Sequence, residues 1–410
     1  MNTFYDALET RKPAERVSES LSSFQIQLAH VKAHTLQGAT YSAFHPADIN
    51  TMADLAKFPL IRKSDLMAMQ EKNKPFGGLA PDHMEDVKYI FASPGPIYEL
   101  STGRTDFFRS ARALFGAGFR KGDIVINCFS YHLTPAGNMF DSGAHALGCP
   151  VIPAGVGQTE LQVRTIADLK PAGYIGTPSF LKLIIEKSEE LNIDIGSIKK
   201  ALVTAEALPP SLRQYFLEKG ISVCQCYGTA DLGIVAYESQ AQEGMIVDEG
   251  VILEIVSPGT GDPVEEGDVG EIVVSTLNPD YPLIRYATGD LSAILPGMSP
   301  CGRTAPRIKG WMGRSDQSAK VKGMFIHPHQ VAEVTRRFEP ITAARVIVDS
   351  VDHVDQFKFL VEVSSNIEGL CGEIDIALRE VFKLRGQTEI VADNTLPRDG
   401  IQIEDIRKFD

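Results

Sequence analysis

From Gly122 to Gly228 the chain repeats one unit, a short apolar β-prone run followed by a run of helical character. GDIVINCFS (Gly122–Ser130), CPVIPAG, AGYIGT, IKKALVTAEA and ISVCQCYG read as strands, and TELQVRTIADLK, PSFLKLIIEKSEEL and PPSLRQYFLEKG as helices between them. Such alternation predicts βαβ units and a largely parallel sheet. Ligands of such sheets sit at the carboxyl ends of the strands. The last strand opens into Tyr227-Gly228-Thr229, with Asp231 two positions on. There Tyr227 could stack on a base, Thr229 could bond a phosphate oxygen, and Asp231 could hold a Mg²⁺ that bridges phosphates. A plain strand-to-loop turn around a core tyrosine is the competing reading.

The flanking sequence has other textures. Lys12 to Leu36 reads as a helix, Val87–Ala92 as a strand, and Thr105–Phe119 as a helix with Thr105 as its N-cap. VILEIVSPGTGDPVEEGDVGEIVVSTL alternates with period two around SPGTGDP and EEGDVG turns, which predicts an antiparallel β-subdomain. In YPLIRYATGDL, Asp290 closes a turn where a carboxylate could accept both hydroxyls of a ribose. The closing stretch alternates strand and helix again and reads as a small α/β domain. In it His327 and His329 flank a proline and mark a helix start.

Composition narrows the class. A chain of 410 residues, 43% hydrophobic, is long enough for at least two cores. A formal net charge of −13 argues against non-specific nucleic-acid binding and against attraction to an anionic membrane. Six scattered cysteines fit a reducing compartment, and the N-terminus has no apolar signal region. The expectation is a soluble, cytoplasmic protein.

YGTAD, TAEA (Thr204–Ala207), RYATGDL, GRSD (Gly313–Asp316), DINTMADLAKFPLIRKSDL and LPRDGI (Leu396–Ile401) occur in the order found in adenylate-forming enzymes. Together they resemble the phenylacetate–coenzyme A ligase branch, over about residues 20–410. The resemblance implies an α/β fold: a large N-terminal domain (1–315) of parallel sheet plus β-subdomain, and a small mobile C-terminal α/β domain (316–410). It implies an ATP-dependent acid–CoA ligase, with ATP or AMP, Mg²⁺ and coenzyme A as cofactors and a small-molecule carboxylate as substrate. A homodimer is one possible assembly.

In this reading Thr229, Asp231, Arg314 and Lys320 are catalytic, with Asp231 the Mg²⁺ ligand. Ser93, Ala205, Glu206, Tyr227, Gly228, Asp290, Arg314 and Gly323 contact the nucleotide. Phe129, Tyr131, Met139 and Phe140 line a pocket for an aromatic or small hydrophobic acid, with core packing the alternative for each. Asp316 is the hinge. No zinc is expected, because only Cys301 remains of the cysteine and histidine set that some relatives carry.

Two functional positions depart from the family. The Ser/Thr/Gly-rich loop that cradles phosphates is replaced by Ser93-Pro94-Gly95-Pro96-Ile97-Tyr98-Glu99, whose prolines offer no N–H and whose Glu99 would repel phosphate. The lysine after the glycine of the LPR segment is Ile401; Lys320 or Lys322 is a possible substitute. These departures leave open a catalytically impaired relative that binds AMP, an acyl-adenylate or a protein partner. An enzyme with an acceptor other than coenzyme A is also open.

Overall fold

Five of the alternating strands pair as one parallel sheet, in the spatial order Val151–Pro153, Val125–Asn127, Gly173–Gly176, Lys200–Val203 and Ser222–Thr229. The computed structural model describes residues 3–80, 84–93, 97–206, 208–321, 324–351, 354–365 and 368–407. Side chains alternate across a strand, so successive residues serve two cores. Val125, Ile175, Leu202 and Cys224 join one buried cluster; Ile126, Tyr174, Ala201, Val203 and Val223 join another. Burial on both faces is what the continuous apolar runs require. Beyond Ser222–Thr229 the sheet continues antiparallel through Gly233–Tyr237, Met245–Val247, Arg307–Ile308 and Ile294–Leu295, nine strands in all.

The expected β-subdomain is a hairpin of Val251–Val256 and Gly270–Thr276 in a four-stranded sheet with Tyr286–Ser292 and Ile61–Arg62. Arg285 anchors it. Its buried guanidinium meets Glu254 at 3.0 Å and donates to the carbonyls of Ala56, Phe58 and Gly261. The first long helix runs Pro13–His34, close to its expected span.

The helix expected over Thr105–Phe119 is shorter, Ser110–Gly116, and Thr105 does not cap it. Asp106 and Arg109 both take positive φ, which breaks helical continuity before Ser110. The Asp106 carboxylate instead accepts the amides of Ser110 and Ala111, at 2.8 and 3.0 Å. The strand expected over Gly122–Ser130 is likewise reduced to Val125–Asn127. The Asn127 amide donates to Gly137 O and Asp141, which ties that strand to the following helix, Ala136–Leu147.

The chain divides into two units, Met1–Thr288 with Ala293–Gly310, and Gly289–Ser292 with Trp311–Asp410. The cut after Gly310 lies a few residues before the 315/316 boundary expected from GRSD. The second unit has its own four-stranded sheet, ordered Gln387–Ile390, Val354–Val363, Ile341–Val351 and Ile403–Asp405. Helices Pro328–Arg337 and Leu370–Phe382 belong to it, and Val331, Val334, Val346, Phe359, Ile374 and Phe382 form its core. No helix among the described residues is long and apolar enough to cross a membrane.

Candidate active site

Parallel neighbours end at the same edge, so the segments after Val125–Asn127, Gly173–Gly176, Lys200–Val203 and Ser222–Thr229 emerge together. Thr204 links two of them by donating its hydroxyl to Cys226 O at 2.6 Å. Ala205 takes φ +71, and Glu206 accepts the Ser179 amide and hydroxyl at 3.2 and 2.9 Å, beside the start of helix Pro178–Leu191. Ala207 lies outside the described residues.

Tyr227 is buried in its strand. A bulge between Tyr227 and Gly228 re-aims the strand end, and a Cβ on Gly228 would run into Gly233 O. Thr229 Oγ1 accepts the Leu232 amide at 3.1 Å, which holds the turn and leaves the hydroxyl proton for another acceptor. Asp231, in that turn, is 8% exposed. Its Oδ2 accepts the Tyr286 hydroxyl at 3.1 Å, and its Oδ1 meets no donor among the described residues. Burial pushes the Asp231 carboxyl up, while the Lys63 charge and the Tyr286 hydroxyl pull it back. A buried carboxylate with one oxygen steered by a hydroxyl and one open suits a Mg²⁺ ligand.

Ser93 and Glu99 meet across a hairpin. Val87–Ser93 and Ile97–Thr102 form an antiparallel hairpin in which Ser93 pairs with Ile97. Glu99 is 1% exposed, and the Ser93 hydroxyl donates to its Oε1. The serine expected to bind phosphate is thus paired with a carboxyl of the chain itself in this structure. Burial pushes Glu99 up to about 7; the Ser93 hydrogen bond opposes that rise, the Asp231 charge adds to it, and the Lys63 charge lowers it. Pro94, Gly95 and Pro96 lie outside the described residues.

Phe129 and Phe140 stack at 5.0 Å between ring centres, and both are buried with Met139 in the main core. Tyr131 stands at the surface and donates its hydroxyl to Asp141 at 2.8 Å. Of the four expected pocket residues, Phe129, Met139 and Phe140 are therefore buried, and Tyr131 is the exposed one.

In the second unit, Asp290 and Arg314 form an antiparallel bridge. Asp290 Oδ1 accepts Arg314 Nη1 at 3.3 Å and the Trp311 indole N–H at 3.0 Å. Gly289 has φ +77, and a Cβ there would meet the Arg314 guanidinium. His327 opens helix Pro328–Arg337, with Gln330 Oε1 accepting the His327 amide at 2.9 Å, as the helix-start reading expects. Asp316 lies in the short turn Ser315–Gln317, and Lys320 in the strand Ala319–Val321. The roles expected of the Asp316 and Lys320 side chains, and of Lys322 and Gly323, fall outside the described residues.

Sequence reasoning missed the Tyr286–Asp231 contact and the Trp311 bond to Asp290. A signal for Glu99 existed: in IYELST it shares strand parity with Ile97, so an inward Ile97 carries Glu99 inward.

Residues 107–278 match the family described as AMP-binding enzyme. Phenylacetate-coenzyme A ligase of Aromatoleum evansii is 32% identical over 339 residues, covering 78% of this chain and 74% of the relative. The enzyme of the same name from Pseudomonas putida is 30% identical over 378 residues, covering 86% and 84%. A solved 2-hydroxyisobutyryl-CoA ligase, in an open conformation with 2-HIB-AMP and CoA, is similar with a TM-score of 0.89. It is 22% identical, with 98% of this chain and 94% of that chain covered.

Proposed function

Because this chain belongs to the phenylacetate–coenzyme A ligase family of adenylate-forming enzymes, we propose that it activates an aromatic or small hydrophobic carboxylate and transfers the acyl group to coenzyme A. A carboxylate oxygen bonds to the α-phosphorus of ATP as the bond to pyrophosphate breaks. The coenzyme A thiol, losing its proton, then bonds to the acyl carbon as AMP leaves.

The observation that carries this reading is Asp290 held beside Arg314 on paired backbone. A carboxylate that accepts hydroxyls next to a guanidinium that binds phosphate oxygens is the pair a nucleoside phosphate needs. Asp290 accepts the ribose hydroxyls and Arg314 faces the α-phosphate. Thr229 donates its hydroxyl to a phosphate oxygen, and Tyr227, Gly228, Ala205 and Glu206 frame the base. Asp231 is the residue that would hold Mg²⁺, which supplies charge neutralisation at the phosphates. Lys320 and Gly323 serve the later step, with Asp316 as hinge between the two.

Pyrophosphate release from Mg·ATP with a panel of aryl and short-chain acids, with and without coenzyme A, tests this. Acid-dependent release with acyl-CoA formation is expected. Asp290→Ala should weaken AMP binding by roughly tenfold or more, the worth of a hydrogen bond to a charged group; unchanged affinity in calorimetry removes the ribose assignment. The Ser93–Glu99 contact favours a second reading, in which AMP or an acyl-adenylate binds without adenylation. Clear AMP binding with no release from any acid would select it, and acyl transfer without coenzyme A would select another acceptor.

A further inference from the structure

Leu232 is held from two sides. Its amide donates to Thr229 Oγ1 at 3.1 Å, and its carbonyl accepts Arg109 Nη2. Arg109 Nε donates to the carbonyl of Ile234 at 3.2 Å, so one guanidinium spans the turn and the start of strand Gly233–Tyr237. We propose that Arg109 is a positioning residue for the turn that carries Thr229 and Asp231, and that the buried carboxylate of Asp248 anchors it. The proposal rests on the assignment of Thr229 and Asp231 to the nucleotide under the function above, and adds to it the groups that hold them in place.

Three observations lead there. The first is the shape of the donor. A guanidinium is planar with its N–H groups in a fixed fork, so bonding two carbonyls fixes the spacing between them. Pinning Leu232 and Ile234 fixes the chain on both sides of Gly233. Asp231 follows from Leu232 through one peptide bond, and Thr229 through one hydrogen bond. While the Leu232 amide occupies a lone pair of Thr229 Oγ1, the hydroxyl proton is directed elsewhere, as a phosphate oxygen requires.

The second observation is that the arginine is itself seated. Asp248 is 1% exposed, and its Oδ1 lies 3.7 Å from Arg109 Nε. The same oxygen accepts the Gly250 amide at 2.8 Å, and Asp248 N donates to Val235 O at 2.9 Å, which fixes the carboxylate to the strand that it helps to orient. A Cβ on Gly250 would lie 2.5 Å from Arg109 Cδ, so the stem of the arginine packs against bare backbone. The third observation is charge. Arg112, one helical turn on, donates to Asp248 Oδ2 at 3.1 Å and to Asp6. Two guanidiniums therefore face two carboxylates, and Arg109 reaches the turn without leaving a buried charge uncompensated. Apolar packing could stabilise this region as well. A fork bonded to two carbonyls adds direction.

The test reads hydrogen exchange of the peptide covering residues 229–236 in the full-length, ligand-free protein, and then AMP binding by calorimetry. In Arg109→Gln the exchange of that peptide should rise at least tenfold, because exchange follows local opening, and AMP affinity should fall by a similar factor. This variant also leaves Asp248 with one arginine instead of two, which lowers stability by itself. The double variant Arg109→Gln/Asp248→Asn removes both charges and should regain part of that stability while exchange stays fast and AMP affinity stays low. Arg213→Gln is the control. Arg213 pairs with Glu238 and donates to Val223 O, at the far end of the strand that closes in Thr229, so its loss should lower the melting temperature and change neither reading. The proposal is overturned if residues 229–236 of Arg109→Gln exchange as slowly as in wild type, or if AMP affinity simply tracks melting temperature across the variants. Exchange is read without acid, ATP or coenzyme A, so its failure and a failure of the ligase reaction are separate results.

Discussion

His327 shows how one side chain can carry a packing role and a titration together. Its place beside a proline reads as a helix start. The structure agrees: its backbone amide donates to Gln330 and its Nδ1 lies 2.9 Å from the Ser318 hydroxyl. Burial, reinforced by the neighbouring His329, lowers its pKa to about 4. The unfolded chain therefore binds a proton more readily than the folded one between the ordinary histidine range and about 4. Stability from this group is complete above that range and is lost as pH falls through the window. At about 1.4 kcal/mol per tenfold change in proton affinity, the loss has an upper bound of roughly 3 kcal/mol. Calorimetry from pH 7 to pH 4 should show the transition of the second unit falling, and falling less in His327→Asn, which retains a capping side chain. Parallel slopes for the two proteins would show that the imidazole is not the titrating group.

At the scale of elements, the hairpin of Ser222–Thr229 and Gly233–Tyr237 fixes where Asp231 stands. YGTADLG was legible as a strand end and a turn, because its glycines and hydroxyl are local signals. What secures the turn comes from elsewhere in the chain. Gly233 has φ +75, and a Cβ there would lie 2.8 Å from Phe108 O. Ile234 N donates to that same carbonyl at 2.9 Å, and the Arg109 guanidinium donates to Leu232 O and Ile234 O. The positive-φ turn that shortens the expected helix to Ser110–Gly116 is thus the one that clamps the hairpin. Gly233→Ala should destabilise the protein by about 1–3 kcal/mol in urea denaturation, combining strain at positive φ with a backbone collision. A variant with wild-type stability would mean that the turn has room to relax.

At the scale of the molecule, the buried residues fall into several clusters, and one of them lies wholly in the second unit. Phe359, fully buried there, provides a check. Phe359→Ala should cost about 3–5 kcal/mol and lower one calorimetric transition while leaving the other in place. If both transitions move together, the units unfold as one. The sequence by itself determined the parallel sheet, the antiparallel subdomain, the second α/β region and the motif positions around Asp231, Asp290 and Arg314. Each of these is written in periodicity or in turn chemistry between near neighbours. Only the tertiary structure decided that Phe129, Met139 and Phe140 are buried together, that Trp311 donates to Asp290, and that Glu99 turns inward to take the Ser93 hydroxyl. Burial and electrostatic pairing depend on which distant segments meet, and no local pattern specifies that. Tyr286 lies 55 residues from Asp231 in the chain, and only the fold brings its hydroxyl to that carboxylate.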